Sequence, residues 1–277
     1  MLLSTRVVNR LLGYRSTREF CAPKGQSLVL THDSGFFSNC SALLLSLARA
    51  ETHPLQVDAS VSFSYFRDEG SHFDWTRYFR PAPEPIIGNP ASWNASRVAR
   101  RLPHHSIYRL IDFQTTNELV HNYFSLSPQV ESRAEEIANS KLPVPMEKIL
   151  VLCVRGTDKG TEVKQSPLLS YIRKTKQIMK TDSSLKVWIQ TDQVQIRDLL
   201  LSQLGPRSFS IDVLPVTDES TVIHRSRHVT SRNDFARDLL ATTWLMSRAH
   251  SIVSYTGNVG YWIALFRGSA RRLYQLR

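Results

Sequence analysis

A short stretch in the second half of the chain combines cations, hydroxyls and carboxylates. From Arg155 to Glu162 it reads Arg-Gly-Thr-Asp-Lys-Gly-Thr-Glu. Arginine offers a planar fork of donors that suits phosphate, and lysine adds a compact positive charge. The glycines allow the backbone to approach a ligand closely. This set predicts a site that binds a phosphorylated leaving group and moves a proton. The alternative is a solvated polar loop with an ion pair between Asp158 and Arg155.

Two further polar loops adjoin apolar segments. Thr191 and Asp192 follow an apolar run, and Thr256, Gly257 and Asn258 precede a helical one. Small polar residues at the start of a helix can bind an anion through backbone N–H groups and the helix dipole. The same residues also serve as ordinary helix caps, so both interpretations stay open.

Apolar strands alternate with helices in the second half and would position these loops. The strands are predicted at 148–154, 185–191, 209–214 and 251–255. The helices are predicted at 167–180, 194–204, 234–249 and 259–266. Such alternation predicts parallel βαβ units. Because ligands bind at the carboxyl ends of parallel strands, the three loops are expected at one edge of one sheet.

The first half has a less regular pattern. Strands are predicted at 27–32 and 61–66, helices at 38–50, 115–125 and 128–140, and mostly loop at 80–103. Pro143 and Pro145 interrupt the chain and mark the predicted boundary. We expect an α/β protein with three parts. They are a basic amphipathic segment at 1–26, a domain at 27–145 and a Rossmann-like domain at 146–277.

The charge balance favours anionic partners. The 277 residues include 35 Lys and Arg against 24 Asp and Glu, a net charge of +11. Nucleic acid is disfavoured, because the cations are dispersed and no recognisable binding motif accompanies them. Near the N-terminus, apolar residues share one helical face with Arg6 and Arg10 opposite. That segment could lie on an acidic membrane, act as a transit peptide or pack on its own domain.

The cysteine spacing and the absence of several known motifs exclude some classes of protein. Cys21, Cys40 and Cys153 are few and widely spaced, which argues against a disulfide framework or a zinc site. We therefore expect a cytoplasmic protein, peripheral to a membrane if the N-terminal segment binds one. The chain has no P-loop, G-x-G-x-x-G or G-x-S-x-G motif. His224 and His228 have metal-like spacing, but no third ligand is evident nearby, and no metal or cofactor is predicted.

Three segments of the second half resemble motifs of a known family. The segment from Cys153 to Glu162 resembles the HVRRTDK(V)GTE motif of the α1,6-fucosyltransferases. These belong to a fucosyltransferase-like superfamily that includes the protein O-fucosyltransferases. Downstream, Thr191 and Asp192 end a strand that resembles the family's ATDD, and 252–258 resembles its LVCTFSSQ. The resemblance covers roughly 148–266.

The resemblance implies a GT-B-like fold, with a cleft between two Rossmann-like domains. It also implies an inverting, metal-independent transfer of fucose from GDP-fucose to a glycan or glycoconjugate. By position, Arg155 matches an arginine that holds the donor β-phosphate, and Glu162 matches the family's candidate catalytic base. Asp158 and Lys159 match neighbours that position donor and acceptor.

Further donor-binding residues follow from the resemblance. They are Gly156, Thr157, Thr191, Asp192, Thr256, Gly257 and Asn258. The family's guanine-reading aspartate aligns with Thr242, and Asp238 is the nearest acid on that helical face. Gly156 replaces an arginine of the family, Cys153 replaces a histidine, and one residue is missing after Lys159. These departures leave the sugar and the base open, and the alternative is a nucleotide- or sugar-binding protein without catalysis.

The chemistry of these residues fits such a transfer. The departing diphosphate gains negative charge, so preorganised cations and N–H groups stabilise the transition state more than the ground state. Metal-dependent transferases often use an Asp-x-Asp motif, and none occurs in this sequence. Arg155, Lys159 and a helix N-terminus could take the place of the metal. The acceptor hydroxyl must lose a proton, and Glu162 is the best-placed base.

Overall fold

The structure is a computed structural model that describes residues 21–24, 27–48, 56–82, 107–156, 166–218 and 229–277. Several predictions therefore lie outside the described residues. They concern the N-terminal amphipathic helix, most of the loop at 80–103, Thr157, Asp158, Lys159, Glu162, His224 and His228.

A small sheet opens the described part of the chain. Its strands are β1 (Cys21–Lys24), β2 (Ser27–Leu30) and β3 (Gln56–Asp58). The middle strand, β2, pairs antiparallel with β1 and parallel with β3. Between β2 and β3 runs helix α1 (Phe36–Leu47), which is buried along almost its whole length. An apolar helix of this kind must be covered on all sides, and α1 is the central helix of this half.

Two further helices complete the first half, α2 (Phe113–Tyr123) and α3 (Pro128–Lys141). The start of α3 is set by its sequence. Pro128 occupies a first-turn position, where a missing N–H costs nothing, and the Ser127 hydroxyl accepts a hydrogen bond from the Val130 N–H at 3.4 Å. Both helices match the predicted ranges to within two residues.

The second half contains a fully parallel sheet of five strands. They are β4 (Ile149–Cys153), β5 (Lys186–Gln190), β6 (Ser208–Phe209), β7 (Ser251–Tyr255) and β8 (Leu273–Leu276). Their order across the sheet is β6-β5-β4-β7-β8. The chain moves outward from β4 to β6 and then returns to the other side of β4. This reversal places a topological switch point between β4 and β7, where such sheets bind ligands.

Four helices alternate with these strands. They are α4 (Leu168–Thr181), α5 (Val194–Leu204), α6 (Arg232–Ser247) and α7 (Asn258–Arg267). Every residue of β4 and β7 is buried, as expected for strands covered on both faces. The predicted α/β class with parallel βαβ units is confirmed.

Helix α7 approaches β7 closely at Gly260. A Cβ atom at this position would lie 2.6 Å from the carbonyl oxygen of Tyr255 and 2.6 Å from the Ser254 Oγ. The end of a flexible side chain can move aside for a new Cβ atom, but a backbone carbonyl oxygen cannot. The absence of a side chain at Gly260 is therefore what lets the helix sit against the strand.

One predicted strand is wrong and another is much shorter than predicted. The segment 61–66 makes a turn and a short 3-10 helix, with Phe63 in a left-handed conformation at φ 58°. Its aromatic side chains do not alternate across a strand, because the rings of Phe63 and Phe66 both pack against Phe36, at centroid distances of 5.2 and 5.4 Å. The strand predicted at 209–214 pairs with β5 only through its first residue and the one before it.

The two halves share one apolar core. Trp262 of α7 stacks on Phe37 of α1 with ring centroids 5.7 Å apart, and it also packs against Phe124 at 4.7 Å. Its indole Nε1 donates to the Ser41 hydroxyl at 2.9 Å and lies 3.1 Å from the Phe37 carbonyl oxygen. Packing is thus continuous across the predicted domain boundary, and the division at residues 145 and 146 stays a prediction.

Two further observations concern membrane-spanning helices and the state of the cysteines. Within the described ranges, no helix combines the length and the apolar character that crossing a bilayer requires. Cys21, Cys40 and Cys153 are all buried and none forms a disulfide.

Replacing Trp262 by phenylalanine should destabilise the fold through the contact between α1 and α7. The substitution removes the indole donor and leaves the buried Ser41 hydroxyl with one bond fewer. We expect a loss of about 1–3 kcal/mol in the free energy of unfolding. Urea denaturation of wild type and variant measures it.

Trp244→Phe is the matched control, because Trp244 is only half-buried and lies under the guanidinium of Arg248. It should cost less than half as much. An equal loss in both variants would contradict the role given to the indole of Trp262.

Candidate functional site

Three strand ends meet at one edge of the parallel sheet. Cys153 is level with Gln190 on one side and with Ser254 on the other, so β4, β5 and β7 end together. The Val154 N–H donates to the Gln190 carbonyl oxygen at 2.9 Å and extends this alignment by one residue. The predicted convergence of the three loops at one edge of the sheet is therefore confirmed for their described residues.

Arg155 and Asp192 meet where β4 and β5 end. The Nε of Arg155 lies 3.5 Å from the Asp192 Oδ2, and the Gly156 N–H donates to Oδ1 at 2.9 Å. The two charged side chains are 20% and 13% exposed, so the pair is largely shielded from water. Asp192 thus holds both the guanidinium and the start of the following loop, which makes it a positioning residue for Arg155.

Gly156 has no room for a side chain without rearrangement. A Cβ here would lie 2.3 Å from the Gln193 Oε1 and 2.3 Å from the Ile196 Cδ1. These two side chains of the β5–α5 region therefore fill the space in which the resemblance places a second arginine. Because both atoms are the ends of flexible side chains, the space is occupied and not blocked by backbone.

A cleft of about 440 Å³ opens between these strand ends and the first half of the chain. This size falls within the range of small-molecule sites. Its walls come from the strand ends, the starts of α1 and α7, the 3-10 turn that contains Phe66, helix α6 and the segment after β6. The lining residues include Ser34, Gly35, Ser38, Phe66, Arg155, Thr191, Asp192, Leu214, Pro215, Phe235, Leu239, Met246 and Asn258.

One group of lining residues is polar and includes two helix starts. Helix α1 begins after Gly35, and α7 begins at Asn258. The first N–H groups of a helix have no partner within it, and the helix dipole adds partial positive charge there. Together with Arg155 these two starts make the polar wall suited to an anion. The start of α1 is not among the residues that the sequence predicts to bind the donor.

A second group of lining residues is apolar. Phe66 and Phe235 stack with centroids 6.0 Å apart and an angle of 12° between the rings. Leu239 and Met246 follow Phe235 along the cleft-facing side of α6. This wall offers flat, apolar surface of the kind that receives an uncharged ring.

The loop between β7 and α7 is held from below by a buried tyrosine. The Tyr108 hydroxyl accepts from the Gly257 N–H at 3.0 Å and lies 3.0 Å from the carbonyl oxygens of Tyr255 and Gly257. Burial raises the pKa of Tyr108, which keeps its hydroxyl protonated and able to donate. The N–H of Gly257, predicted to bind the donor, is therefore occupied by the protein itself.

Thr256 also turns toward the protein. Its hydroxyl donates to the Leu276 carbonyl oxygen at 3.2 Å and accepts from the Gln275 Nε2 at 2.9 Å. Gln275 in turn accepts from the Tyr108 N–H at 2.9 Å. Asn258, by contrast, lines the cleft, with its Oδ1 3.4 Å from the Ser41 hydroxyl. Among the described residues of this loop, Asn258 is the one whose side chain is placed to contact a ligand.

Asp238 lies at the contact between α3 and α6. Its carboxylate binds Arg133 through two hydrogen bonds of 2.8 and 3.0 Å, and this partner raises the pKa of Arg133. Its predicted contact with the donor stays a prediction, although its neighbour Leu239 lines the cleft. Thr242, one turn further along α6, is fully buried, and its hydroxyl has no hydrogen-bond partner.

The remaining predicted residues cannot be placed. Thr157, Asp158, Lys159 and Glu162 lie outside the described residues, in the gap between Gly156 and Ser166. Their roles as catalytic or donor-binding groups stay predictions. Across the ranges that the structure describes, no three His, Cys, Asp or Glu side chains come together as a metal site would require.

Comparisons with known proteins bear on the fold. No protein-family model matches the chain, and no curated protein matches it. Among solved structures, NodZ α-1,6-fucosyltransferase soaked with GDP-fucose is 15% identical with a TM-score of 0.36, over 54% of this chain and 47% of that one. The chain thus spans about half the length of that structure.

Two other solved structures are also similar. Fucosyltransferase NodZ from Bradyrhizobium is 13% identical with a TM-score of 0.48, over 91% of this chain and 94% of that one. POFUT1 in its apo form is 10% identical with a TM-score of 0.38, over 69% and 59%. At identities of this level the likeness concerns the fold alone and not the chemistry of the cleft.

Replacing Tyr108 by phenylalanine should loosen the loop that opens α7. The variant leaves the buried Gly257 N–H without its partner, which costs about 1–3 kcal/mol in the free energy of unfolding. Tyr274→Phe is the control, because its half-buried ring lies beneath the Lys174 ammonium and keeps that contact as phenylalanine. Chemical denaturation compares the two, and equal stability of the Tyr108 variant and wild type would contradict the bracing role.

The cysteines should resist thiol reagents until the protein unfolds. Burial raises the pKa of Cys21 to about 11 and that of Cys153 to about 12, and it raises the pKa of Cys40 well above its usual range. At pH 8 the native thiolate population is therefore small, and labelling should be at least ~100-fold slower than in urea. Absorbance with a disulfide reagent measures this. Fast reaction of any native thiol would contradict this prediction.

Proposed function

We propose that this protein is an inverting, metal-independent glycosyltransferase. It would move a sugar, with fucose as the family default, from a GDP-linked donor to a hydroxyl of a glycan or glycoconjugate. The observation that carries this proposal is Arg155 at the end of β4, oriented by Asp192 in a cleft that two helix starts also border. The sequence resemblance across 148–266 supports it.

The polar wall suits the departing diphosphate. As the bond to the sugar breaks, negative charge accumulates on the leaving phosphate, and groups fixed beforehand stabilise that charge without reorganising. The salt bridge to Asp192 limits the motion of Arg155, and α1 and α7 are anchored by the shared core. In this proposal, Arg155 and the two helix starts supply the positive charge that a metal ion provides in metal-dependent transferases.

The apolar wall suits the nucleotide base. Phe66, Phe235, Leu239 and Met246 offer a surface for one face of a planar ring. A nucleoside diphosphate sugar has a planar, uncharged base at one end and charged phosphates in the middle, which corresponds to the two walls of the cleft. Guanine as the base rests on the resemblance.

In this proposal, Glu162 removes the proton of the acceptor hydroxyl. An inverting transfer requires a base that removes the proton from the acceptor hydroxyl as the hydroxyl attacks the sugar. Glu162 would fill this role, with Asp158 and Lys159 positioning donor and acceptor. These assignments follow from the resemblance of the segment from Cys153 to Glu162.

A binding protein without catalysis is the second candidate, and two observations favour it. Gln193 and Ile196 fill the space beside Gly156, where the resemblance places an arginine. The carboxylate of Asp238 accepts two hydrogen bonds from Arg133 and is thereby engaged within the protein. Such a protein would bind a nucleoside diphosphate or its sugar conjugate and would not transfer the sugar.

Arg155→Ala should abolish most donor turnover. Removing a preorganised cation from a site of developing charge lowers kcat by about 10²–10³-fold. Release of GDP from GDP-fucose, with and without a glycan acceptor, measures this, after a thermal-shift screen of GDP, UDP and their sugars has identified the donor.

Arg248→Ala is the control, because Arg248 is exposed on α6 and rests on Trp244. Its turnover should equal that of wild type. Equal turnover by the Arg155 variant would contradict the role of Arg155. Tight GDP binding by the wild type without turnover on any acceptor would favour the binding protein.

A further inference from the structure

Part of the positive charge is concentrated on helix α4. This helix carries four cations and no acidic residue. Arg173, Lys176 and Lys180 recur at spacings of three and four residues and are all exposed, so they share the solvent side of the helix. The opposite side of α4 is buried against the sheet. The exposed side is therefore a row of positive charge with no function in the cleft.

Strand β8 extends this row. The Lys174 ammonium lies 4.1 Å from the ring centre of Tyr274, and the Ser166 hydroxyl donates to the Arg277 carbonyl oxygen at 2.6 Å. These contacts place α4 next to β8, which is flanked by Arg271 and Arg272 on one side and Arg277 on the other. We define the basic face as Arg173, Lys174, Lys176, Lys180, Arg271, Arg272 and Arg277.

Little acidic charge lies near the basic face, where Asp182 interacts with Arg272. The segments 166–191 and 267–277 contain a single acidic residue, Asp182. Across the described ranges, the ion pairs of the protein involve other cations and none belongs to the basic face. Cations clustered in this way attract an anionic partner from outside the chain.

An exposed leucine adjoins the basic face. Leu169 lies in the first turn of α4, four residues before Arg173, and is 52% exposed. Because residues four apart lie on the same side of a helix, Leu169 borders the row of cations. Exposed aliphatic residues bordering a basic surface are typical of proteins that bind at a membrane interface.

We propose that the basic face docks the protein on an anionic phospholipid surface. The lysines and arginines would lie over the acidic headgroups, and Leu169 would enter the boundary with the acyl chains. Nucleic acid fits less well. Binding of single strands relies on aromatic rings that stack on bases, and the ring of Tyr274 is covered by Lys174. Leucine side chains offer no stacking surface.

Co-sedimentation of the full chain with vesicles tests this proposal. We expect binding to phosphatidylcholine vesicles that contain phosphatidylserine, weakening as salt is raised, and none to phosphatidylcholine alone. Lys176→Glu combined with Lys180→Glu should reduce the partition coefficient at least about tenfold. Lys141→Glu combined with Arg248→Glu makes the same change in net charge away from the basic face, and should change binding less than about twofold.

Two measurements keep the test decisive. Thermal melting of both double variants confirms that they fold, and Lys176→Gln with Lys180→Gln replaces the reversed pair if that pair does not. A polarity-sensitive dye on Leu169→Cys should shift its emission to the blue on phosphatidylserine vesicles, because the three native cysteines are buried. The proposal is overturned if both double variants bind like wild type or lose binding equally. Tight binding of an RNA duplex with no dye shift on vesicles overturns it as well.

Discussion

The packing of α1 against α7 is the contact on which the cleft depends. The two helices come from opposite halves of the chain, and the indole of Trp262 joins them by stacking on Phe37 and binding Ser41. Both helices begin at the cleft, so this contact fixes the spacing between two positive helix ends. Arg155 lies at the end of the strand that the same core covers. The geometry of the polar wall is thus a consequence of core packing.

Sequence patterns predicted the second half of the fold well because its signals are strong. The helix at 194–204 and the strand at 251–255 match the structure in full, since buried parallel strands appear as uninterrupted apolar runs. Strand β8 was missed because its residues are only half-buried at the edge of the sheet. The segment 61–66 has a strand-like composition, but its aromatic rings serve a cluster around Phe36.

The candidate site was predictable where it follows from strand ends and not where it depends on distant contacts. The meeting of Arg155 with Asp192 follows from parallel topology, which a sequence can indicate. The use of the Gly257 N–H by Tyr108 could not be foreseen, because the two are 149 residues apart and a lone tyrosine carries no signal. A polar loop before a helix can serve a ligand or its own protein, and only the three-dimensional contacts distinguish these uses.

The shared core also has a consequence for how a ligand would be received. Separating the halves would expose Phe37 and Trp262 to water and break the bonds of the indole, so opening the cleft as a hinge would be costly. The walls formed by α1, α6 and the strand ends are therefore largely preorganised. A molecule that binds in this cleft loses its own translational and rotational entropy, but few side chains or loops of the protein become ordered. Less of the favourable contact energy is therefore offset by entropy, and the affinity is higher.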